Sequence, residues 1–72
     1  MAPRLRIAVG SKWTSDVEVE GWRHFEVISL RAEGSARLVE LAPSCDRRLR
    51  VTIAAELLAN RRGWAPGWLR LG

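Results

Sequence analysis

The sequence predicts a mainly β fold, a small antiparallel barrel or meander with one short helix before the last strand. Between residues 22 and 53, short segments alternate apolar and polar side chains, a pattern typical of strands with one buried face. Turn residues such as Gly34 and Pro43 separate these segments. Good helix formers follow over residues 54–60, ahead of a tryptophan-rich end. This order is that of SH3-like and Tudor-like small barrels.

The length of 72 residues predicts one domain over residues 1–72. A chain of this size buries only about 60% of the surface that its unfolded form exposes. The four tryptophans and one phenylalanine help, because each aromatic side chain can bury roughly 150–250 Å². The simplest interpretation of the tryptophans is therefore that they form the core.

The N-terminal part predicts weak strands. Leu5, Ile7 and Val9 alternate with polar residues or alanine, so residues 1–10 are an edge strand or a ragged terminus. Residues 12–14 form a short extended segment anchored by Trp13. The acidic residues 15–21 then predict a loop or a poor edge strand facing solvent.

Residues 22–42 predict the first two strands of a meander. Phe25 and Val27 share one face and Ile28 and Leu30 the other, a switch that predicts a bulge or bend. A turn over residues 32–35 uses Gly34, which accepts positive φ. The second strand covers residues 36–42 and ends at Pro43. Its two faces carry Arg37, Val39 and Leu41 on one side and Leu38, Glu40 and Ala42 on the other.

After a reversal at residues 44–47, residues 48–53 predict the third strand of the meander. It points Leu49, Val51 and Ile53 inward and Arg48 and Arg50 outward.

The C-terminal part predicts a helix, a turn and a closing strand. The helix over residues 54–60 leans on the sheet through Leu57 and Leu58, and Asn60 is its left-handed C-cap. Residues 64–71 form the last strand. Within it, Pro66 and Gly67 predict a type II turn.

Three motifs carry a family resemblance: Ser11-Lys-Trp-Thr14, Gly21-Trp-Arg-His-Phe25 and Trp64-Ala-Pro-Gly-Trp-Leu69. Together they resemble the short bacterial tryptophan-rich proteins classed as a domain of unknown function. The resemblance covers residues 11–69. It implies a bacterial, single-domain protein and carries over no activity, and the segment before Ser11 lies outside its motifs.

Composition limits the chemistry. The single cysteine, Cys45, excludes an intramolecular disulfide and a cysteine-only metal site and favours a reducing compartment. The sequence has no apolar run long enough for a membrane span and no apolar signal core. We therefore expect a cytoplasmic protein with no membrane partner, and a monomer.

We expect no enzyme, metal or cofactor. His24 and Cys45 are the only residues of their types and lie on different predicted segments, so no nucleophile, base and orienting group come together. His24 is expected to tie its strand to a neighbour. Close-set metal ligands and a phosphate-binding glycine loop are both missing from the sequence.

Basic charge points to single-stranded nucleic acid as a partner. Residues 37–72 hold seven arginines and three acids, whereas residues 1–36 hold five bases and five acids. Arg48 and Arg50 would form a stripe across the sheet with Arg31 or Arg37. Cations bind the phosphate backbone and exposed rings stack on bases, although the same arginines would also suit a solvated face. The predicted contact residues are Arg37, Arg48, Arg50, Arg61, Arg62, Trp64 and Trp68.

The alternative is a peptide-binding module. Trp13, Trp64 and Trp68 would line an aromatic groove, beside acidic residues 16–20 that would select a basic peptide. The charge that borders the exposed indoles distinguishes the two hypotheses.

Overall fold

The computed structural model describes residues 7–70, which form one five-stranded antiparallel sheet curled into a half-barrel. The strands lie in the order β4-β3-β2-β1-β5. The elements are β1 (Lys12–Val19), β2 (Trp22–Glu33), β3 (Ala36–Pro43), β4 (Val51–Ala54), α1 (Ala55–Ala59) and β5 (Trp64–Pro66). The mainly β fold with a short helix before the last strand is confirmed.

Two tight turns make the central meander. Glu20 and Gly21 join β1 to β2 with φ angles of 55° and 84°, as a type I′ hairpin turn requires. The β2–β3 turn has Gly34 at a φ of 61° followed by Ser35, which fits a type II′ turn. The predicted turn at Gly34 is confirmed.

The predicted switch of faces in β2 is a bulge. Val27 lies opposite Leu41 and Ser29 lies opposite Glu40, so Ile28 is an extra residue with no partner on β3. An extra residue bends a strand and increases its twist. The bulge therefore lets β2 follow the curl of the sheet.

The core lies on the concave face of the sheet. Its aromatic residues are Trp13, Phe25 and Trp64, and Leu58 of α1 is fully buried among them. The helix is only five residues long, so its stability comes from this packing and from contacts with β3, β4 and β5. The remaining core residues are Val27, Val39 and Leu41.

The N-terminal predictions left alternatives that the structure decides in part. Residues 7–9 are not a strand, and Leu5 lies outside the described residues. Ile7 nevertheless packs against the core. Of the two alternatives for acidic residues 15–21, the strand is confirmed for residues 15–19, which continue β1. Ser15 pairs with Trp64 of β5. Between Thr14 and Val19 its pairing with β2 is irregular.

The third meander strand is shorter than predicted. It begins at Val51 instead of Arg48, so Arg48 and Arg50 lie in the preceding loop, where both face solvent as expected. Leu49, Val51 and Ile53 were expected to be buried but are half-buried. Val51 and Ile53 lie on β4, the end strand of the sheet, and Leu49 lies in the loop before it.

The C-terminal part of the structure differs from the prediction at two places. Asn60 has a φ of −91°, and Arg61 is the left-handed residue, with a φ of 53°. The last strand covers only residues 64–66 of the predicted 64–71, because the chain turns at Gly67. The φ of 83° at Gly67 agrees with the predicted type II turn.

Candidate functional site

The site is built on one face of the paired strands β1 and β2. Lys12 lies opposite Glu26, and Thr14 lies opposite His24. Directly opposite residues of an antiparallel pair point to the same side of the sheet, and this side is turned away from the core residues Trp13 and Phe25. We call it the outer face.

Trp68 lies over this outer face. Its indole Nε1 donates a hydrogen bond of 2.8 Å to the Phe25 carbonyl. The ring stacks on His24, with centroids 5.9 Å apart and an interplanar angle of 24°. The Lys12 ammonium nitrogen lies 5.2 Å from the Trp68 ring centroid, within the range of a cation–π interaction. Trp68 is still 41% exposed.

Residues 67–70 form a strap that is hydrogen-bonded to side chains of the outer face. The Thr14 hydroxyl donates to the Gly67 carbonyl at 2.7 Å and accepts from the Leu69 amide at 2.9 Å. His24 Nε2 donates to the Leu69 carbonyl at 2.7 Å, since a carbonyl only accepts. His24 therefore ties its strand to a neighbouring segment, as predicted.

The loop between β3 and β4 brings arginines beside the site. Glu26, which faces Lys12, accepts a hydrogen bond of 3.1 Å from Arg47. Arg48 contacts Asp46 at 3.4 Å, and its side chain is 94% exposed. Arg50 donates to the Leu49 carbonyl at 2.9 Å and also contacts the Arg47 carbonyl. The loop thus carries three arginines and Asp46, and two of the arginines, Arg47 and Arg48, contact a carboxylate.

The structure does not bring the other predicted arginines to this place. Arg37 lies opposite Ala32 near the β2–β3 turn, away from the part of β2 that contacts Trp68. Arg61 and Arg62 precede Gly63, whose carbonyl accepts from Asp16, at the far end of the β1–β5 ladder from Lys12. The predicted stripe across the sheet is therefore not continuous.

Trp64, predicted to contact nucleic acid, and Trp13, predicted to line the peptide groove, both belong to the core. Trp64 is 8% exposed and Trp13 is 1% exposed. Both rings face the concave side, and Trp64 packs on Phe25. The predicted groove of Trp13, Trp64 and Trp68 is not formed, and Trp64 is not available for stacking.

An open cleft of about 410 Å³ lies next to the site. It is bounded by Glu18, Trp22 and Arg23, and His24 belongs to both the cleft and the Trp68 stack. Thr14 pairs with His24, and Val19 pairs with Trp22. Four residues lie between the two on β1 but only one lies between their partners on β2, so β1 bulges away from β2 here. Glu18, from this irregular part of β1, lines one side of the cleft.

Sequence reasoning missed Lys12 and Thr14 as site residues. Both residues belong to the first of the three tryptophan-containing motifs, and this could have indicated them. The structure brings the three motifs together at Trp68. Within residues 7–70, no three histidine, cysteine or acidic side chains are grouped to hold a metal ion. Over the same range, no helix has the length and apolar character needed to cross a membrane.

The curled sheet and its strap define a small β module anchored by tryptophans. The chain belongs to the family described as Tryptophan-rich protein (DUF2389), whose model matches residues 11–69. This confirms the family resemblance. No curated protein and no solved structure matches the chain.

Proposed function

We propose that this protein binds single-stranded nucleic acid weakly, with Trp68 as the platform for one unpaired base. The observation that carries the proposal is a 41% exposed indole with the Lys12 ammonium 5.2 Å from its ring centroid. An aromatic ring beside a cation is the arrangement that single strands require, since the ring stacks on a base and the cation meets the phosphate.

The way Trp68 is held supports a stacking role. Its indole N–H is already bonded to Phe25, so the exposed surface of the ring is apolar. His24 and Lys12 further limit its rotation. An immobilised ring loses little conformational freedom when a ligand binds, which favours affinity.

The charge at the border of Trp68 favours nucleic acid over a basic peptide. Lys12 is in contact with the ring, and Arg70 follows two residues later and is exposed. Arg48 and Arg50 belong to the loop that contacts Glu26 through Arg47. We therefore assign phosphate contacts to Lys12, Arg48 and Arg50, and leave Arg37, Arg61 and Arg62 a long-range electrostatic contribution.

Titration of short labelled oligonucleotides at low salt tests the proposal by fluorescence anisotropy. Trp68→Ala should weaken binding roughly tenfold, because one stacked base contributes about 1–3 kcal/mol. The double variant R48Q/R50Q should also weaken binding. R61Q/R62Q is the matched control, with the same loss of charge at the far end of the β1–β5 ladder.

Two results would overturn the proposal. The first is no detectable binding by the native protein at about 100 μM, taking typical non-specific affinities as the guide. The second is binding that is unaffected by Trp68→Ala and weakened equally by the two arginine double variants.

A peptide partner remains the second candidate because of the neighbouring cleft. There Glu18 borders the half-buried Trp22, and a carboxylate beside an aromatic ring suits a Lys or Arg side chain. A basic peptide that binds the native protein but not Glu18→Gln, with no oligonucleotide binding, would favour this candidate.

A further inference from the structure

We infer that Thr14 is the positioning residue of the site and sets the orientation of Trp68 for stacking. This inference rests on the proposed function. Thr14 lies under the strap and is 2% exposed, so it does not itself meet a ligand. It acts through the backbone on either side of Trp68.

The Thr14 hydroxyl forms hydrogen bonds with the backbone on both sides of Trp68. It donates to the carbonyl of Gly67, the residue before Trp68, and accepts from the amide of Leu69, the residue after it. Both flanking peptide groups are thereby fixed to one atom of β1. The ring between them is directed to the Phe25 carbonyl and to Lys12.

This role needs a hydroxyl. A hydroxyl donates one hydrogen bond and accepts others at the same time, so serine can replace threonine here. Valine has the same shape but does neither, and it would leave the Leu69 amide and the Gly67 carbonyl without this partner. Unpaired backbone groups turn toward water when they can, which would lift the strap from the outer face.

The consequence for binding is preorganisation. A strap held by Thr14 has already ordered Trp68 before the ligand arrives, whereas a released strap must be ordered during binding. Ordering one side chain costs about 0.5–1.5 kcal/mol, which corresponds to a roughly two- to twelvefold change in Kd. Lys12 on β1 and the arginines of the β3–β4 loop lie outside the strap, so the number of phosphate contacts should not change when the strap is released.

The test compares Thr14→Val with Thr14→Ser in the full chain. The first measurement is hydrogen exchange of the Trp68 indole N–H by NMR, and the second is the Kd for a short single-stranded oligonucleotide at several salt concentrations. In the Thr14→Val variant, this proton should exchange at least about tenfold faster, and the Kd should rise about fivefold. The slope of log K against log salt should stay unchanged. The Thr14→Ser variant should keep the native exchange rate, Kd and salt slope.

Leu69→Pro provides a second route if Thr14→Val does not fold. It removes the amide that Thr14 accepts from, at an exposed position outside the core, and should give the same faster exchange and weaker binding. Unchanged indole exchange in a folded variant overturns the inference, as does faster exchange with an unchanged Kd. If the native protein binds no oligonucleotide, the proposed function fails, and the exchange data alone still decide whether Thr14 positions Trp68.

Discussion

Phe25 and Trp64 meet edge to face, with ring centroids 5.4 Å apart and an interplanar angle of 71°. Phe25 is on β2 and Trp64 is on β5, and β1 lies between these strands in the sheet. Ser15, the partner of Trp64 on β1, is small and buried. The two rings can therefore touch across β1, on the concave side of the curled sheet.

The two C-terminal tryptophans should differ in their contribution to stability. Trp64→Ala should lower the free energy of unfolding by about 3–5 kcal/mol, as truncation of buried aromatics does. Trp68→Ala should cost about 1–2 kcal/mol, from one hydrogen bond and partial burial. Urea denaturation measures both. Equal losses in the two variants would place Trp68 in the core, which contradicts the structure.

Glu20→Asn should stabilise the protein by about 0.5–1 kcal/mol. Glu20 has a φ of 55° and precedes Gly21 in the β1–β2 turn, and Asn-Gly is the preferred pair for a type I′ turn because asparagine tolerates positive φ. Thermal and urea denaturation measure the gain. Glu33→Asn is the control, since it removes the same charge from an exposed residue without positive φ. An equal gain in the control would attribute the effect to charge.

Arg61→Gly should stabilise the protein by about 1 kcal/mol. The Arg61 amide bonds to the Leu58 carbonyl and the Arg62 amide to the Leu57 carbonyl, which is the Schellman pattern with Arg61 at its left-handed position. Glycine has no steric penalty there. Arg62→Gly is the matched control at a position without positive φ and should not stabilise. A gain in both variants would mean that the lost charge is responsible.

Oligonucleotide binding should depend on salt. With three or four phosphates engaged, log K should fall against log salt with a slope of about −2 to −3, at roughly 0.7 per phosphate for single strands. R48Q/R50Q should reduce that slope by about 1–1.5 without changing the melting temperature. R61Q/R62Q should change the slope less. A salt-independent Kd, measured between 20 and 200 mM salt (about one decade), would contradict a phosphate interaction.

Much of the fold was predictable because its signals are local. The alternation of Phe25 and Val27, the glycine turn at Gly34 and the short helix each depend on neighbouring residues. Local sequence left the acidic stretch open between a loop and a poor edge strand, and it did not decide for the strand. The strand depends on Ser15 pairing with Trp64, which is 49 positions away along the chain, and solvent-facing acids alone do not indicate such a partner.

The arginine stripe failed for a reason that the sequence does contain. Leu41 pairs with Val51, and continuing that register would place Leu49 opposite Pro43. Proline has no N–H to donate, so a ladder is interrupted there. Arg48 and Arg50 consequently lie in a loop. The position of Trp68 could not be read in advance, because it depends on the distant partners Thr14 and His24.

The bulge at Ile28 has a consequence for how the chain tolerates deletions. If Ile28 were removed, Val27 would still face Leu41, and Ser29 would still face Glu40 and keep its hydroxyl bond of 2.9 Å to that carboxylate. The β2–β3 hairpin would lose no pairing, only its bend. Without Ile28, β2 keeps 11 of its 12 residues, and a straight strand of that length spans about 36 Å at roughly 3.3 Å per residue, comparable with the longest dimension of the molecule, 33 Å. Such a chain would still make its hairpin but could not wrap it around Leu58, and the flattened apolar sheet would tend to self-associate.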